Sequence, residues 1–215
     1  MSVPKVTIID YGVGNLLSVL RGFEYCGASV ELTSDPARIL SSQRVVLPGV
    51  GAFPKAMQAL IRLNLVTVIQ DLAKKGTPLL AICLGMQLLL EESDEFELTA
   101  GLGLIPGRVV AVPSKTINGN SQKIPNIGWS PLHISSMVSS WERTILQDNK
   151  PGDDAYFVHS FMSQPSDLKN QLAYTTYGGH HVSAVVTRDN ITGCQFHPEK
   201  SGKVGLKILK RFISQ

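Results

Sequence analysis

The first part of the chain alternates short apolar runs with stretches of helical period, and this alternation constrains the fold more than any other feature. KVTIID at 5–10 is an apolar run ending in a carboxylate. YGVGN follows as a glycine-rich turn, and LLSVLRGFEYCG as a helix stopped near Gly27. Residues 29–32 read as a second strand, and TSDPARI opens a short helix. Residues 44–47 read as a third strand, ending at PGVGAF, and 55–75 carry helical spacing with apolar residues at 56, 60, 63 and 66. Residues 78–82 form a fourth apolar run and 85–92 a further helix. Strands joined through helices lie parallel, and the helices then cover the sheet. The expected fold is therefore α/β: an open, doubly wound, mostly parallel sheet with helices on both faces.

The second half changes character. GRVVAV, KIPNIGW, AYFVHSF, QLAYTTY, HVSAVVTR and ITGCQF are short strand candidates, separated by turn signals at Asn118-Gly119, Gly178-Gly179 and Asp189-Asn190. These add antiparallel strands to the sheet. A closing helix over 201–214 puts Val204, Ile208 and Phe212 on one face and Lys203, Lys207 and Lys210 on another. The lysine row reads as a solvated face. With 215 residues, 43% of them hydrophobic, one core and one domain spanning 1–215 are expected.

Several classes of function are disfavoured at once. Net charge is only +3 and no long run of like charge occurs, so no nucleic-acid partner is expected. The longest apolar-rich run, 78–90, is interrupted by Gly85 and Gln87. It falls short of the ~18 residues of a membrane span, so no membrane partner is expected. The three cysteines lack CxxC spacing, which argues against a disulfide framework or a zinc site. MSVPKVTIID has no apolar signal segment, and a cytoplasmic protein without metal or cofactor is expected.

The chemistry gathers on two segments. In AICLGMQ, at 81–87, an apolar strand runs straight into Cys83-Leu84-Gly85 and a helix. This is the layout of a nucleophile elbow, which lifts the side chain out at the carboxyl end of the sheet. The helix N-terminus there favours a thiolate, and the Leu84 N–H would point at a developing oxyanion. Taken alone, Cys83 is equally a buried structural cysteine. The segment QFHPE, at 195–199, supplies what a thiol nucleophile needs, a base and an acceptor to orient it. Pro198 biases His197 toward extended geometry, in which His197 and Glu199 project to the same side. LPGVGAF, at 47–53, is a third element; its glycines permit close approach to a ligand, and Val50 or Gly51 could supply a second oxyanion N–H.

These pieces, in this order, resemble the class I, triad-type glutamine amidotransferases. DYGVGNL at 10–16, LPGVGAF at 47–53, CLGMQLLLEES at 83–93, GW at 128–129, YFVHSF at 156–161 and QFHPEKS at 195–201 are similar to the glutaminase subunit of imidazole glycerol phosphate synthase. The resemblance spans nearly the whole chain. It implies a catalytic triad of Cys83, His197 and Glu199, a glutamine pocket involving Gly49 and Gln87, and an oxyanion strand at 48–51. It further implies that Asn15, Trp129, Tyr156 and Lys200 face a (β/α)8-barrel synthase (cyclase) subunit in a heterodimer. Ammonia released from glutamine would be channelled into that barrel. There it would yield imidazole glycerol phosphate and an aminoimidazole carboxamide ribotide in histidine biosynthesis.

One departure leaves the partner open. The family usually reads P-H-M-G-W-N near the interface, whereas this chain has Pro125-Asn126-Ile127-Gly128-Trp129-Ser130. Paralogues deliver ammonia to a surface-polysaccharide sugar synthetase, and that reading stands beside the first. A stand-alone cysteine hydrolase and a non-catalytic binding subunit are further readings. The nucleophile assignment is directly testable: an electrophilic glutamine analogue should alkylate Cys83 and spare Cys26 and Cys194. Mass mapping that finds the label chiefly on either of the other two would reject the elbow.

Overall fold

The computed structural model describes residues 3–215. The first part runs β1 (Lys5–Ile9), α1 (Leu16–Tyr25), β2 (Ser29–Thr33), α2 (Pro36–Leu40), β3 (Val45–Gly49), α3 (Phe53–Arg62), α4 (Leu65–Lys75), β4 (Leu79–Cys83) and α5 (Leu84–Leu88). Then follow β5 (Glu92–Ser93), β6 (Thr99–Ala100), β7 (Gly107–Ala111), β8 (Asn126–Pro131), β9 (His133–Ile134), β10 (Asp154–His159) and β11 (Phe161–Pro165). The chain closes with β12 (Gln171–Tyr177), β13 (His180–Arg188), β14 (Ile191–Cys194) and α6 (Gly202–Ile213).

The main sheet has the order β2-β1-β3-β4-β14-β13-β12-β9. From β2 to β14 its neighbours are parallel, and β13, β12 and β9 extend it antiparallel. Period-2 alternation sorts the parallel strands' side chains between two cores. Leu80 and Ile82 of β4 pack with Val19 and Phe23 of α1 and Ile208 and Phe212 of α6. Leu79 and Ala81 pack on the other side with Ile39 of α2, Leu60 of α3 and Ile69 of α4. The doubly wound sheet read from the sequence is thus present, with its antiparallel strands in the second half. Lys203, Lys207 and Lys210 are exposed on α6, as a solvated row. Among the described residues, no helix is long and apolar enough to cross a membrane.

Several boundaries differ from the sequence reading, each for a local reason. The helical stretch 55–75 is two helices, because Asn64 adopts a left-handed conformation with φ of 55° and breaks the ladder. Asparagine tolerates that region better than most residues. The helix after Cys83 stops at Leu88 rather than 92, since Glu92 and Ser93 are drawn into pairing with β7 and β6. AYFVHSF is not one strand. It divides at Ser160, so that β10 pairs with β8 and β11 with β7. The strand expected from KIPNIGW begins only at Asn126, after a proline that has no N–H to donate. The short strands β5, β6 and β9 have no alternating pattern long enough to notice.

The carboxyl ends of β3, β4 and β14 come together at one edge. Gly49 stands opposite Cys83, and Cys194 opposite Ile82. Open parallel sheets place their ligands at this edge. The first turn of α5 lies directly against β3: a Cβ on Gly85 would stand 2.0 Å from the Leu47 carbonyl oxygen. Gly85→Ala should therefore destabilise the fold by at least about 3 kcal/mol in denaturant unfolding. An alanine variant of unchanged stability would mean that α5 can back away from β3.

Candidate active site

Cys83 ends β4 with φ of 56° and ψ of −112°. A non-glycine residue there carries about 1–3 kcal/mol of backbone strain, which the surrounding packing must hold. The strain is the elbow itself: the chain reverses within one residue from strand into α5. Cys83 serves as the N-cap of α5, and its side chain makes no capping bond. The thiol instead lies 3.7 Å from the Val158 carbonyl oxygen. The Leu84 N–H thus begins a helix with no side chain capping it.

His197 follows β14 and stands at the N-cap of a 3-10 turn formed by Pro198–Lys200. Its Nδ1 lies 2.8 Å from Glu199 Oε1, and both side chains are almost wholly buried. The pairing expected from spacing is present, but its geometry differs. Only His197 is extended; Pro198 then turns the chain, and the turn rather than a strand brings the carboxylate back to the ring. His197 Nε2 is buried without a hydrogen-bond partner. It shares a cavity of about 330 Å³ with Cys83, Val50, Gly51 and Gln87. Burial disfavours a charged ring, but the neighbouring Cys83 and the Glu199 carboxylate at Nδ1 outweigh burial and push its pKa up to about 9. Near neutral pH the ring is charged. Since the ordinary value is 6.5, this pairing stabilises the fold in full below about pH 6.5, and the contribution fades as pH rises through about 9.

The remaining expected residues fall in two places. Gly51 has φ of 103°, so the segment after β3 uses the freedom its glycine allows. Gln87 is buried, and its amide nitrogen donates to the Phe161 carbonyl at 2.9 Å and to Gln195 Oε1 at 3.1 Å. With both N–H groups committed to the wall, only its carbonyl is left for a ligand. Away from the cavity floor, Trp129 and Tyr156 meet edge-on across the β8–β10 ribbon, their ring centroids 5.8 Å apart. Trp129 is 56% exposed, beside an exposed Ile127. Asn15, before α1, and Lys200, in the turn after His197, are also exposed.

Four residues of the site carry no signal that spacing could read. Gln195 directs Nε2 toward Cys83 Sγ at 3.9 Å. Glu95 lines the cavity and accepts the Phe53 N–H at 2.7 Å, which anchors the start of α3. Tyr11 donates its hydroxyl to the Pro48 carbonyl at 2.7 Å, fixing the peptide that leads into the 48–51 segment. Burial, and then the neighbouring Cys83, raise the Tyr11 pKa, so the phenol keeps the proton that makes this bond. His159 is the fourth. Burial, opposed by its bond to Phe161 and aided by His197, brings its pKa down to about 4. It is neutral, and its ring is held between the Phe161 carbonyl at 2.9 Å from Nδ1 and the Asn126 amide nitrogen at 3.1 Å from Nε2. A neutral ring donates from Nδ1 to the carbonyl and accepts at Nε2 from the amide. Asn126, which departs from the family's interface segment, thus has a definite partner.

A thiol at a strained elbow, an imidazole in the same cavity and a carboxylate behind the imidazole thus lie together at the end of a doubly wound sheet, an arrangement suited to acyl transfer. The family model for class-I glutamine amidotransferases matches residues 7–215, and the chain belongs to that family. Within it, the chain is 52% identical over 209 residues to imidazole glycerol phosphate synthase subunit HisH 1 of Legionella pneumophila (strain Lens), covering 97% of this chain and 98% of that one. It is 44% identical over 211 residues to the HisH subunit of Lactococcus lactis subsp. lactis (strain IL1403), covering 98% of each. Among solved structures, PurLQS from Thermotoga maritima shares the fold, with a TM-score of 0.72 over 99% of both chains at 17% identity.

The electrostatics of the two histidines can be read directly. Glu199→Gln should lower the His197 titration midpoint from about 9, followed by NMR of the ring protons. The His159 midpoint should stay near 4, since burial sets it. A His197 midpoint unmoved by this change would mean that Glu199 does not support the charged ring.

Proposed function

We propose that this chain is the glutaminase subunit of an imidazole glycerol phosphate synthase, a single domain over residues 1–215 that supplies ammonia for histidine biosynthesis. The observation that carries the reading is the unpartnered Nε2 of a charged His197 in the cavity that holds Cys83, with Nδ1 tied to Glu199. Identity of 52% along 97% of the chain supports the histidine-pathway partner over a polysaccharide paralogue. A stand-alone hydrolase fits less well, because the exposed Ile127 and Trp129 of β8 offer apolar surface for a partner to cover.

In this reading the Cys83 thiolate attacks the side-chain amide carbon of glutamine. N–H groups of Leu84 and of the 49–51 segment receive the oxyanion. The tetrahedral intermediate collapses as His197 gives its proton to the departing nitrogen, leaving a thioester and free ammonia. His197, now neutral, takes a proton from water, whose oxygen attacks the thioester carbon. Glutamate leaves as the sulfur departs, and the imidazolium–thiolate pair is restored. Glu199 orients the ring and supports its charged form. Glu95, a carboxylate on the cavity wall, suits the α-ammonium of the substrate, and the Gln87 carbonyl is available to the same group. The partner is a (β/α)8-barrel cyclase in a heterodimer, contacted by Asn15, Trp129, Tyr156 and Lys200.

The division of labour gives the test. Cys83→Ala should abolish glutamine-dependent synthesis by the assembled complex. Synthesis with added ammonium salt should persist, because the partner consumes only the ammonia. Loss of both activities in an intact complex would reject this assignment.

A further inference from the structure

Ser201 stands at the N-cap of α6, yet it caps nothing: its side chain makes no bond to the helix. Serine at this position ordinarily satisfies an N–H of the first turn. Here the hydroxyl, only 1% exposed, turns away from α6. It donates to the His197 carbonyl at 2.7 Å and accepts the Tyr156 N–H at 3.0 Å. The Tyr156 carbonyl in turn accepts the His197 N–H at 3.0 Å. Both backbone groups of Tyr156 are therefore committed to the segment that carries the histidine.

The same strand reaches the nucleophile. Along an antiparallel strand, backbone groups two residues apart point to the same edge. Tyr156 and Val158 share the edge of β10 that faces away from β8. At that edge the Val158 carbonyl accepts from the Cys83 thiol at 3.7 Å. One edge of β10, from Tyr156 to Val158, thus touches the sulfur at one end and the histidine backbone at the other. The histidine's turn is backed from the opposite side by α6, where a Cβ on Gly205 would stand 1.8 Å from the Pro198 carbonyl oxygen.

We propose that β10 is the spacer that sets the separation of Cys83 and His197, and that Ser201 is the positioning residue that fastens the histidine to it. The proposal rests on the reading of Cys83, His197 and Glu199 as the reacting set. Without the hydroxyl, one bond still ties His197 to Tyr156, but the turn can swing about it. Glu199 moves with His197, so the dyad stays paired while its distance from the sulfur changes. The expected loss is in the chemical step, not in glutamine binding.

The test uses the full chain assembled with its synthase subunit. Ser201→Ala should lower the kcat of glutamate release at least about tenfold, with KM changed by no more than about twofold. The His197 NMR titration midpoint should fall from about 9, because the ring moves away from Cys83, whose proximity raises it. Unchanged kcat and midpoint would overturn the proposal, whatever the variant does to thermal stability. If Ser201→Ala does not fold, Ser201→Cys keeps the size with a weaker hydrogen bonder and is read the same way. Failure of both to fold would make the hydroxyl a fold determinant and reject the positioning role. Cys83→Ala separates the two levels. If it is inert while Ser201→Ala behaves as wild type, only the spacer falls; if Cys83→Ala still releases glutamate, the reacting set is wrong and the spacer falls with it.

Discussion

The approach of α5 to the end of β3, allowed by the missing side chain at Gly85, is the contact on which the rest of the site depends. Any Cβ there would collide with the Leu47 carbonyl. With the helix seated this closely, Cys83 has no room to leave β4 gradually and takes a positive φ of 56° instead. That turn aims the thiol into the cavity and sets an uncapped helix N-terminus beneath it. Gly49, opposite Cys83 in the ladder, is then held between Tyr11 and α5, so the segment that follows β3 starts from a fixed point.

Two buried histidines line this cavity, and their surroundings push their pKa values in opposite directions. His197 has a carboxylate on one side and a thiol on the other, and these overcome the cost of burying its charge. His159 has a carbonyl and a neutral amide, which do not. A second cation so close would compete with His197 for Glu199 and for the sulfur. With His159 neutral, His197 is the charged ring of the two.

Much of this was legible in the sequence because it is local. The strand–cysteine–glycine–helix run and the His-Pro-Glu spacing each name their chemistry within a few residues, and strand alternation sorts the two faces of the sheet. What was not legible is what the fold assembles from distant segments. Gln87 and Gln195, 108 residues apart, bond to each other beneath the thiol. Glu95 caps a helix 42 residues before it. Ser201 reads as a helix cap until its hydroxyl is seen to serve Tyr156, 45 residues away. Local rules also gave the right pair by the wrong geometry at Glu199: Pro198 was read as holding the chain extended, whereas its fixed φ opens a 3-10 turn equally well.

The strained elbow has a consequence for the protein's history as well as its chemistry. Glycine adopts the backbone conformation of Cys83 without penalty, so Cys83→Gly can make the scaffold more stable. Selection for a folded chain alone would therefore favour losing the cysteine. In the role proposed for it, the cysteine is kept by a demand for nitrogen drawn from glutamine. Where free ammonia is abundant that demand lapses, and backbone strain alone then favours a scaffold without the thiol, its sheet intact.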